Sequence, residues 1–465
     1  MSTQNRREFM RAVGGGTTMA ALSSLAEPAG AETAKRRRPN VIYAFSDEHR
    51  WHSMSIGDLP EVRTPNMARL ASQGTSFVNA ISNYPVCSPH RAILMTGRWP
   101  YQQGITDNNI HLKPAETTLG KVFKAAGYAT GYVGKWHLGG RRAEPYGFDQ
   151  SLIWTGTGNH WKSTYHPKDG KPVVVKGRYN ATAMTDQALA FIEQHKAGPF
   201  FLMVSWNPPH SRFTDPPEAK KALYREGSLS RRKNDMPLKR RRKREPSGDA
   251  FRTSWPVWQG YHAHVSAIDD ELGRLMAKLD ELKLEDDTII VYSSDHGSLL
   301  GSHGVGGKRQ PFEESIKVPF IIRWPGVVAA RARPENLFGS IGIMPSLCAL
   351  AGIDVPRTCV GQDFSPVMRG RKGPTPASQF IMHIAKENAS GGVNHPAPLF
   401  RGVRTARYTY AVYPDRPWCL FDNQEDPYQL ANLIDDPGKA KIRRELRSMT
   451  AEWLKKANDP FALPA

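Results

Sequence analysis

The 465-residue chain carries 63 Lys+Arg against 44 Asp+Glu, a formal net charge of +19, with 39% apolar residues and four cysteines. That apolar content over this length buries a sizeable core, which excludes wholesale disorder, and four cysteines are too few for a disulfide scaffold. No stretch approaches the ~18 consecutive apolar residues of a membrane span, and the charge excess points to an anionic partner: nucleic acid, an acidic surface or an acidic polymer.

The chain opens Asn5-Arg6-Arg7-Glu8-Phe9-Met10-Arg11, followed by a diluted apolar stretch from Ala12 to Leu25 and a small-residue site at Ala29-Gly30-Ala31. That order reads as a bacterial twin-arginine export signal over residues 1–31, and it implies a periplasmic or secreted protein. Its removal leaves a charge of +18, so the signal does not account for the excess. Asn40–Ser46 is a continuous apolar run, the pattern of a buried parallel strand. Thr64-Pro65 starts a helix that Gly74 stops. Leu119–Ala126 reads as helix, Tyr128–Val133 as strand, Thr182–Gln194 as amphipathic helix and Pro199–Ser205 as buried strand. A long helix over Trp258–Leu282 follows, then strands at Thr288–Ser294 and Val318–Arg323. This alternation predicts an α/β fold: a large, mostly parallel sheet flanked by helices, over residues 36–355. Residues 356–465 read as a smaller antiparallel sheet (Arg404–Tyr413 with Trp418–Phe421) plus a closing helix at Lys439–Lys456. Nine basic residues and one acid fall within Arg231–Arg244, read as an exposed mobile loop. It is either a collar for an anionic substrate or a solvated loop.

Ligands of open parallel sheets bind beyond the carboxyl ends of strands. There the sequence places Asp47-Glu48-His49-Arg50, Trp206-Asn207-Pro208-Pro209-His210 and Asp295-His296-Gly297. Asp47, Glu48 and Asp295 supply hard oxygens and His296 a nitrogen, a set suited to Ca²⁺, Mg²⁺ or Mn²⁺. Zinc is disfavoured, since no CxxC and no His pair at helical spacing is present. In Cys87-Ser88-Pro89-His90-Arg91, Pro89 begins a helix and leaves Cys87 at its positive end.

Cys87-Ser88-Pro89-His90-Arg91 followed by Thr96-Gly97-Arg98 resembles the signature of the formylglycine-dependent (type I) sulfatases, of the alkaline-phosphatase-like superfamily. The resemblance continues through Asn40–Glu48, Gly131–Gly139, Asn207–His210, Ser294–Gly297 and Gly307–Gly326. It ends in a tail built on Arg401–Tyr410, Leu420-Phe421-Asp422 and Asp426-Pro427. His90 stands where the family most often has Ser, Glu48 where many relatives have Asp, and His296 where many have Asn.

The resemblance implies that Cys87 is oxidised to Cα-formylglycine. One hydroxyl of its hydrate attacks the sulfur of a sulfate ester and expels the alcohol. The other then loses its proton, which releases inorganic sulfate and restores the aldehyde. It implies metal ligands at Asp47, Glu48, Cys87, Asp295 and His296, with Ca²⁺ favoured over Mn²⁺ or Mg²⁺. Arg91 would hold the hydrate, Lys135 and Lys308 the sulfate. His137, two residues after Lys135 in an extended segment, is the candidate base, and His210 the acid or hydrogen-bond donor at the leaving oxygen. Arg50, Trp51 and His303 are candidate substrate contacts. Cys348, Cys359 and Cys419 leave an odd remainder, against a disulfide-stabilised fold. The implied partners are a formylglycine-generating maturation enzyme, acting before the twin-arginine export machinery, and a sulfated small molecule or glycan; nucleic acid is not expected. The alternatives are a phosphonate monoester or phosphodiester hydrolase on the same fold, and a non-catalytic polyanion-binding protein.

Overall fold

The computed structural model describes residues 38–155, 158–168, 171–236, 254–384 and 399–464. The export signal read over residues 1–31 and the basic run 237–244 lie outside the described residues. In chain order the strands are β1 (Asn40–Asp47), β2 (Thr75–Ser76), β3 (Ala80–Ile81), β4 (Ala129–Lys135), β5 (Gln150–Thr155), β6 (Lys162–Pro167), β7 (Val173–Lys176) and β8 (Phe200–Pro209). They continue as β9 (Thr288–Ser294), β10 (Phe320–Arg323), β11 (Phe338–Gly339), β12 (Ser378–His383), β13 (Phe400–Thr405), β14 (Tyr408–Val412) and β15 (Pro417–Asp422).

All eight residues of β1 are buried, because both of its faces are covered. Val41, Tyr43 and Phe45 pack into one core and Ile42 and Ala44 into the other, the alternation a strand imposes. β1 pairs in parallel with β8 on one side and β9 on the other. The large sheet runs β2-β10-β9-β1-β8-β4-β5-β6-β7. Its five central strands, β9 to β5, are parallel, while β10, β2, β6 and β7 add on antiparallel. The strand expected at Val318–Arg323 is therefore present but runs antiparallel to β9. β5, β6 and β7 carry no sequence expectation: their apolar runs, such as Leu152–Trp154 and Val173–Val175, are short, and many of their residues are partly or fully exposed.

The second sheet is an antiparallel meander, β12-β13-β14-β15. One face packs with the Ala440–Lys456 helix through Val403, Tyr410, Leu420 and Leu446. The other joins Phe400, Ala411 and Phe421 to Ile81, Leu299 and Phe312 of the preceding region. The four cysteines are all free thiols, in agreement with the odd remainder. Among the described residues no helix is long and apolar enough to cross a membrane.

The Trp255–Glu281 helix carries a fully buried His262. Its Nδ1–H donates to the Trp258 carbonyl (2.7 Å) and its Nε2 meets Ser53 Oγ at 3.1 Å. Burial and then Arg50 bring its pKa down to about 3. An unfolded histidine titrates near 6.5, so between these values only the unfolded chain takes up the proton. His262 therefore contributes full stability above pH 6.5, and this is lost as pH falls toward 3. We predict that His262→Gln loses ~2 kcal/mol less unfolding free energy than the wild type between pH 7.5 and 5, read by urea denaturation. Parallel curves for the two proteins would contradict this.

Candidate active site

Every component of the site sits at the carboxyl ends of the parallel strands. Asp47 ends β1, Lys135 ends β4, His210 follows β8, and Asp295 and His296 follow β9. The Cys87–Thr96 helix points its first residue at them and is buried along its whole length. It stops at Gly97, whose φ of 63° suits glycine and where a Cβ would lie 2.6 Å from Cys359 Sγ. Gly134, at φ 111°, lets β4 approach β8 just before Lys135: a Cβ there would stand 2.1 Å from the Ser205 carbonyl.

Arg91 lies one turn into that helix, 2% exposed. Its Nη1 donates to the Lys135 carbonyl and to Ser205 Oγ, both at 2.7 Å. Its Nη2 donates to Asp47 Oδ2 (3.0 Å) and Asp295 Oδ2 (2.9 Å), and Nε donates to Asp295 Oδ2 (3.1 Å). One guanidinium thus ties together β1, β4, β8 and the residue after β9, which leaves none of its N–H groups for the hydrate it was expected to hold.

Cys87 Sγ lies 3.2 Å from His296 Nε2, 3.7 Å from Asp47 Oδ1, 3.4 Å from Lys308 Nζ and 4.0 Å from Lys135 Nζ. Burial and Asp47 raise the thiol pKa, but Lys135, Lys308 and His296 outweigh them and hold it well below the usual thiol range. His137 is the neighbouring imidazole whose titration the Cys87 side chain influences, and its Nδ1 has no protein partner. Lys135 Nζ reaches Asp47 Oδ2 at 2.5 Å, and Lys308 Nζ reaches Glu48 Oε2 at 3.2 Å. Glu48 Oε1 accepts from Ser298 Oγ at 3.0 Å, and His210 Nε2 stands 3.5 Å from Glu48 Oε2. Burial, Lys308 and Lys135 bring His210 down to about 4.

Asp47, Cys87, Asp295 and His296 place one donor atom each within 4.8 Å of one another. Asp47 and Asp295 are both fully buried. Asp47 stays well below the usual carboxylate range because Lys135, His210, Lys308 and Arg91 overcome its burial. Asp295 is pushed up to about 6 by burial and by Asp47. His296 Nδ1–H donates to the Gly297 carbonyl (2.9 Å), which turns the Nε2 lone pair toward Cys87 and the two carboxylates. Two opposed carboxylates and a directed imidazole fit a divalent cation.

The structure corrects several expectations. Arg50 and Trp51 point away from the cluster. Arg50 is 1% exposed, donates through Nε to Ser53 Oγ (2.8 Å) and lies over the Trp258 ring. Trp51 is core, with Lys317 Nζ 4.0 Å above its ring. His303 stacks on Phe312 at 3.9 Å and accepts from Asn234 Nδ2 at 3.1 Å, so it anchors a loop. Residues 231–236, expected to be an exposed mobile loop, are tied down where they are described: Arg232 is buried on Glu314 (2.8 Å) and pairs with Asp58. His137 does not continue an extended segment: β4 ends at Lys135 and His137 has a φ of 54°. Glu48 meets His210 and Asp47 in a second group of possible metal donors, which shares Asp47 with the four-residue cluster. His90 is buried against Ser82 Oγ (2.9 Å), which in turn donates to the Asp295 carbonyl at 2.7 Å.

Sequence reasoning missed Ser205, Ser82, Asp107, Asn108 and Arg309. Asn108 Oδ1 accepts the Ser88 N–H at 3.0 Å and so caps the Cys87 helix. A second cluster, also missed, joins His160, Asp215 and His264. Its hydrogen bonds run from Asn207 to His160 (3.2 Å), then Asp215 (2.5 Å), while Tyr179 holds His264 at 2.6 Å. This bracing stands behind the segment that carries His210.

Residues 39–353 match the family model described as Sulfatase, and residues 301–456 match that of the N-sulphoglucosamine sulphohydrolase C-terminal region. An ulvan-active sulfatase of Formosa agariphila is 33% identical over 436 residues, covering 91% of this chain and 82% of the relative. The N-acetylglucosamine-6-O-sulfatase of Bacteroides thetaiotaomicron is 30% identical, covering 95% and 91%. A structure solved with its substrate D-glucosamine-2-N,6-O-disulfate superposes with a TM-score of 0.80 at 27% identity, covering 91% of this chain and 99% of that one. The chain belongs to the sulfatase family, with the alkaline-phosphatase-like fold. It is a sulfuric ester hydrolase.

Arg91 neutralises two carboxylates, so its loss leaves them buried and unpaired. We predict that Arg91→Met costs ~3–5 kcal/mol of unfolding free energy in metal-free buffer, measured by urea denaturation. A cost below about 1 kcal/mol would mean that the pair is not held as described.

Proposed function

We propose that the protein hydrolyses sulfate esters on a glycan, with Cys87 converted to formylglycine and a divalent cation, Ca²⁺ first, at Asp47, Asp295 and His296. The observation that carries this reading is the ring of groups around the Cys87 side chain: His296, Asp47, Lys308, Lys135 and His137. The Sγ position stands in for a hydroxyl oxygen of the modified residue. That hydroxyl is the nucleophile, and a bound cation would polarise the sulfate oxygens and lower the hydroxyl pKa.

The chain's own residues divide the remaining work. Lys135 and Lys308, on either side of position 87, neutralise the sulfate oxygens. His137 takes the proton when sulfate is released. His210 donates a hydrogen bond to the leaving oxygen. Burial, Lys308 and Lys135 hold its pKa near 4, which argues against a resident charged acid before substrate arrives. Arg91 sits behind Asp47 and Asp295 and fixes their second oxygens, so the first oxygens face the cation.

The carbohydrate class rests on the relatives, one active on ulvan and one on N-acetylglucosamine 6-sulfate. It agrees with a net charge of +19, which would gather a polyanionic polymer. Modification in the cytoplasm followed by twin-arginine export of the folded chain to the periplasm completes the reading. A modified chain exported by the general secretion route would contradict that order.

The intact mass of the Cys87 peptide, from protein made in its own cell, should be that of formylglycine. We expect Cys87→Ala to abolish turnover of sulfate esters while the thermal midpoint changes by only a few degrees. An unmodified cysteine in active enzyme would sink the reading, and an aryl phosphonate ester turned over faster than an aryl sulfate would redirect it. In a separate assay, Ca²⁺ at 100 times its Kd should add ~2.7 kcal/mol of stability, and Asp295→Ala should remove that gain. Stabilisation that survives this substitution would place the cation elsewhere.

A further inference from the structure

The segment Thr106–Asn108 wraps the start of the Cys87 helix. Tyr84 donates through its hydroxyl to the Thr106 carbonyl (2.7 Å), and Asn108 caps Ser88. Asp107 lies between these two anchors. Its side chain is 5% exposed; the neighbouring Asn108 N–H approaches the carboxylate, but among the described residues neither oxygen closes a hydrogen bond to a protein group. Facing it is Arg309, whose Nη2 stands 3.8 Å from Asp107 Oδ1, too far for a hydrogen bond, and whose Nε is also unpartnered. Arg309 directly follows Lys308 and has a φ of 71°, a left-handed conformation that only strong surroundings impose on a non-glycine residue. The electrostatic neighbours of Asp107 include Arg309, Cys87 and His137, so this wall adjoins the nucleophile. Burial pushes the Asp107 carboxyl up from its ordinary value despite Arg309.

Buried polar atoms are almost always hydrogen-bonded, and a carboxylate left without partners beside a guanidinium demands an explanation. A structural ion pair would close to hydrogen-bonding distance. A carboxylate standing 3.8 Å from a guanidinium suits a bridging group that both donates and accepts, the hydroxyl of a substrate or a water molecule.

We propose that Asp107 and Arg309 clamp a free hydroxyl of the sugar that carries the sulfate, Asp107 accepting its proton in a hydrogen bond and Arg309 donating to its oxygen. This rests on the glycan reading above and sharpens it. The substrate is a sulfated sugar with an unsubstituted hydroxyl near the sulfated carbon, and an aryl sulfate lacks the group that the clamp reads.

The test compares N-acetylglucosamine 6-sulfate, N-acetylgalactosamine 4-sulfate and ulvan oligosaccharides with 4-nitrophenyl sulfate. The wild-type enzyme, Asp107→Asn and Arg309→Gln are assayed on each. For the sugar sulfate that the wild type turns over fastest, each variant should lose ~10–100-fold in kcat/KM. The ratio of that value to the value for 4-nitrophenyl sulfate should fall at least about tenfold. Mono-deoxy forms of the same sugar, assayed on the unmutated enzyme, should show one hydroxyl whose removal costs a similar factor. Asp107→Asn should add little to that loss. Equal losses on sugar and aryl sulfates, or no costly deoxy position on the wild type, would overturn the clamp alone. A wild type that cleaves only the aryl sulfate would overturn the glycan reading and the clamp with it.

Discussion

The site depends on the placement of Arg91. A guanidinium presents five N–H donors in a fixed plane, and here five hydrogen bonds lead from it to the Asp47 and Asp295 carboxylates, the Lys135 carbonyl and Ser205 Oγ. These acceptors lie on, or directly after, four adjacent strands of the large sheet. A lysine could not satisfy them in one plane. Because Arg91 belongs to the Cys87–Thr96 helix, the same contact that gathers the strand ends also sets the height and rotation of that helix. Cys87, one turn earlier, is thereby delivered to the centre of the cluster.

The electrostatics follow from that packing. Burial alone would protonate the carboxylates and keep the thiol neutral. Lys135, Lys308 and Arg91 reverse this for Asp47, and the two lysines with His296 reverse it for Cys87. Asp295 is raised above the usual carboxylate range by burial first and by the facing Asp47 second. The site thus presents carboxylates and an imidazole on one side and the Lys135 and Lys308 ammonium groups on the other. Around it, Asn108 caps the Cys87 helix, Ser82 with His90 holds the Asp295 backbone, and the His160–Asp215–His264 group braces the approach to His210.

Charge and aromaticity in the sequence did not say which side of the backbone a residue would face. Arg50 and Trp51 follow a strand end as Asp47 and Glu48 do, yet they turn into the interior against Trp258 and Lys317. Arg232, within the most basic stretch of the chain, is buried because Glu314 and Asp58 meet it. His303 stacks on Phe312 for the same kind of reason: its partner, not its own chemistry, decided its use.

From the sequence alone, β1, β4, β8, β9 and the long helix over Trp255–Glu281 were legible, since unbroken apolar runs and terminal Thr-Pro or Gly signals are local properties. Local motif order was also enough to bring Asp47, Cys87, Arg91, Lys135, Asp295 and Lys308 to one edge of the sheet. β5 to β7 and β12 were not legible, because their stability comes from neighbours that the local pattern does not contain. The antiparallel direction of β10 was likewise decided by the path of the chain. The pairing of Arg91 with four strands, the turn of His137 out of the strand, and the separation of Asp107 from Arg309 arise only when segments 44 to 204 residues apart are packed together. Burial then fixes which polar atoms find partners, and no local pattern encodes that.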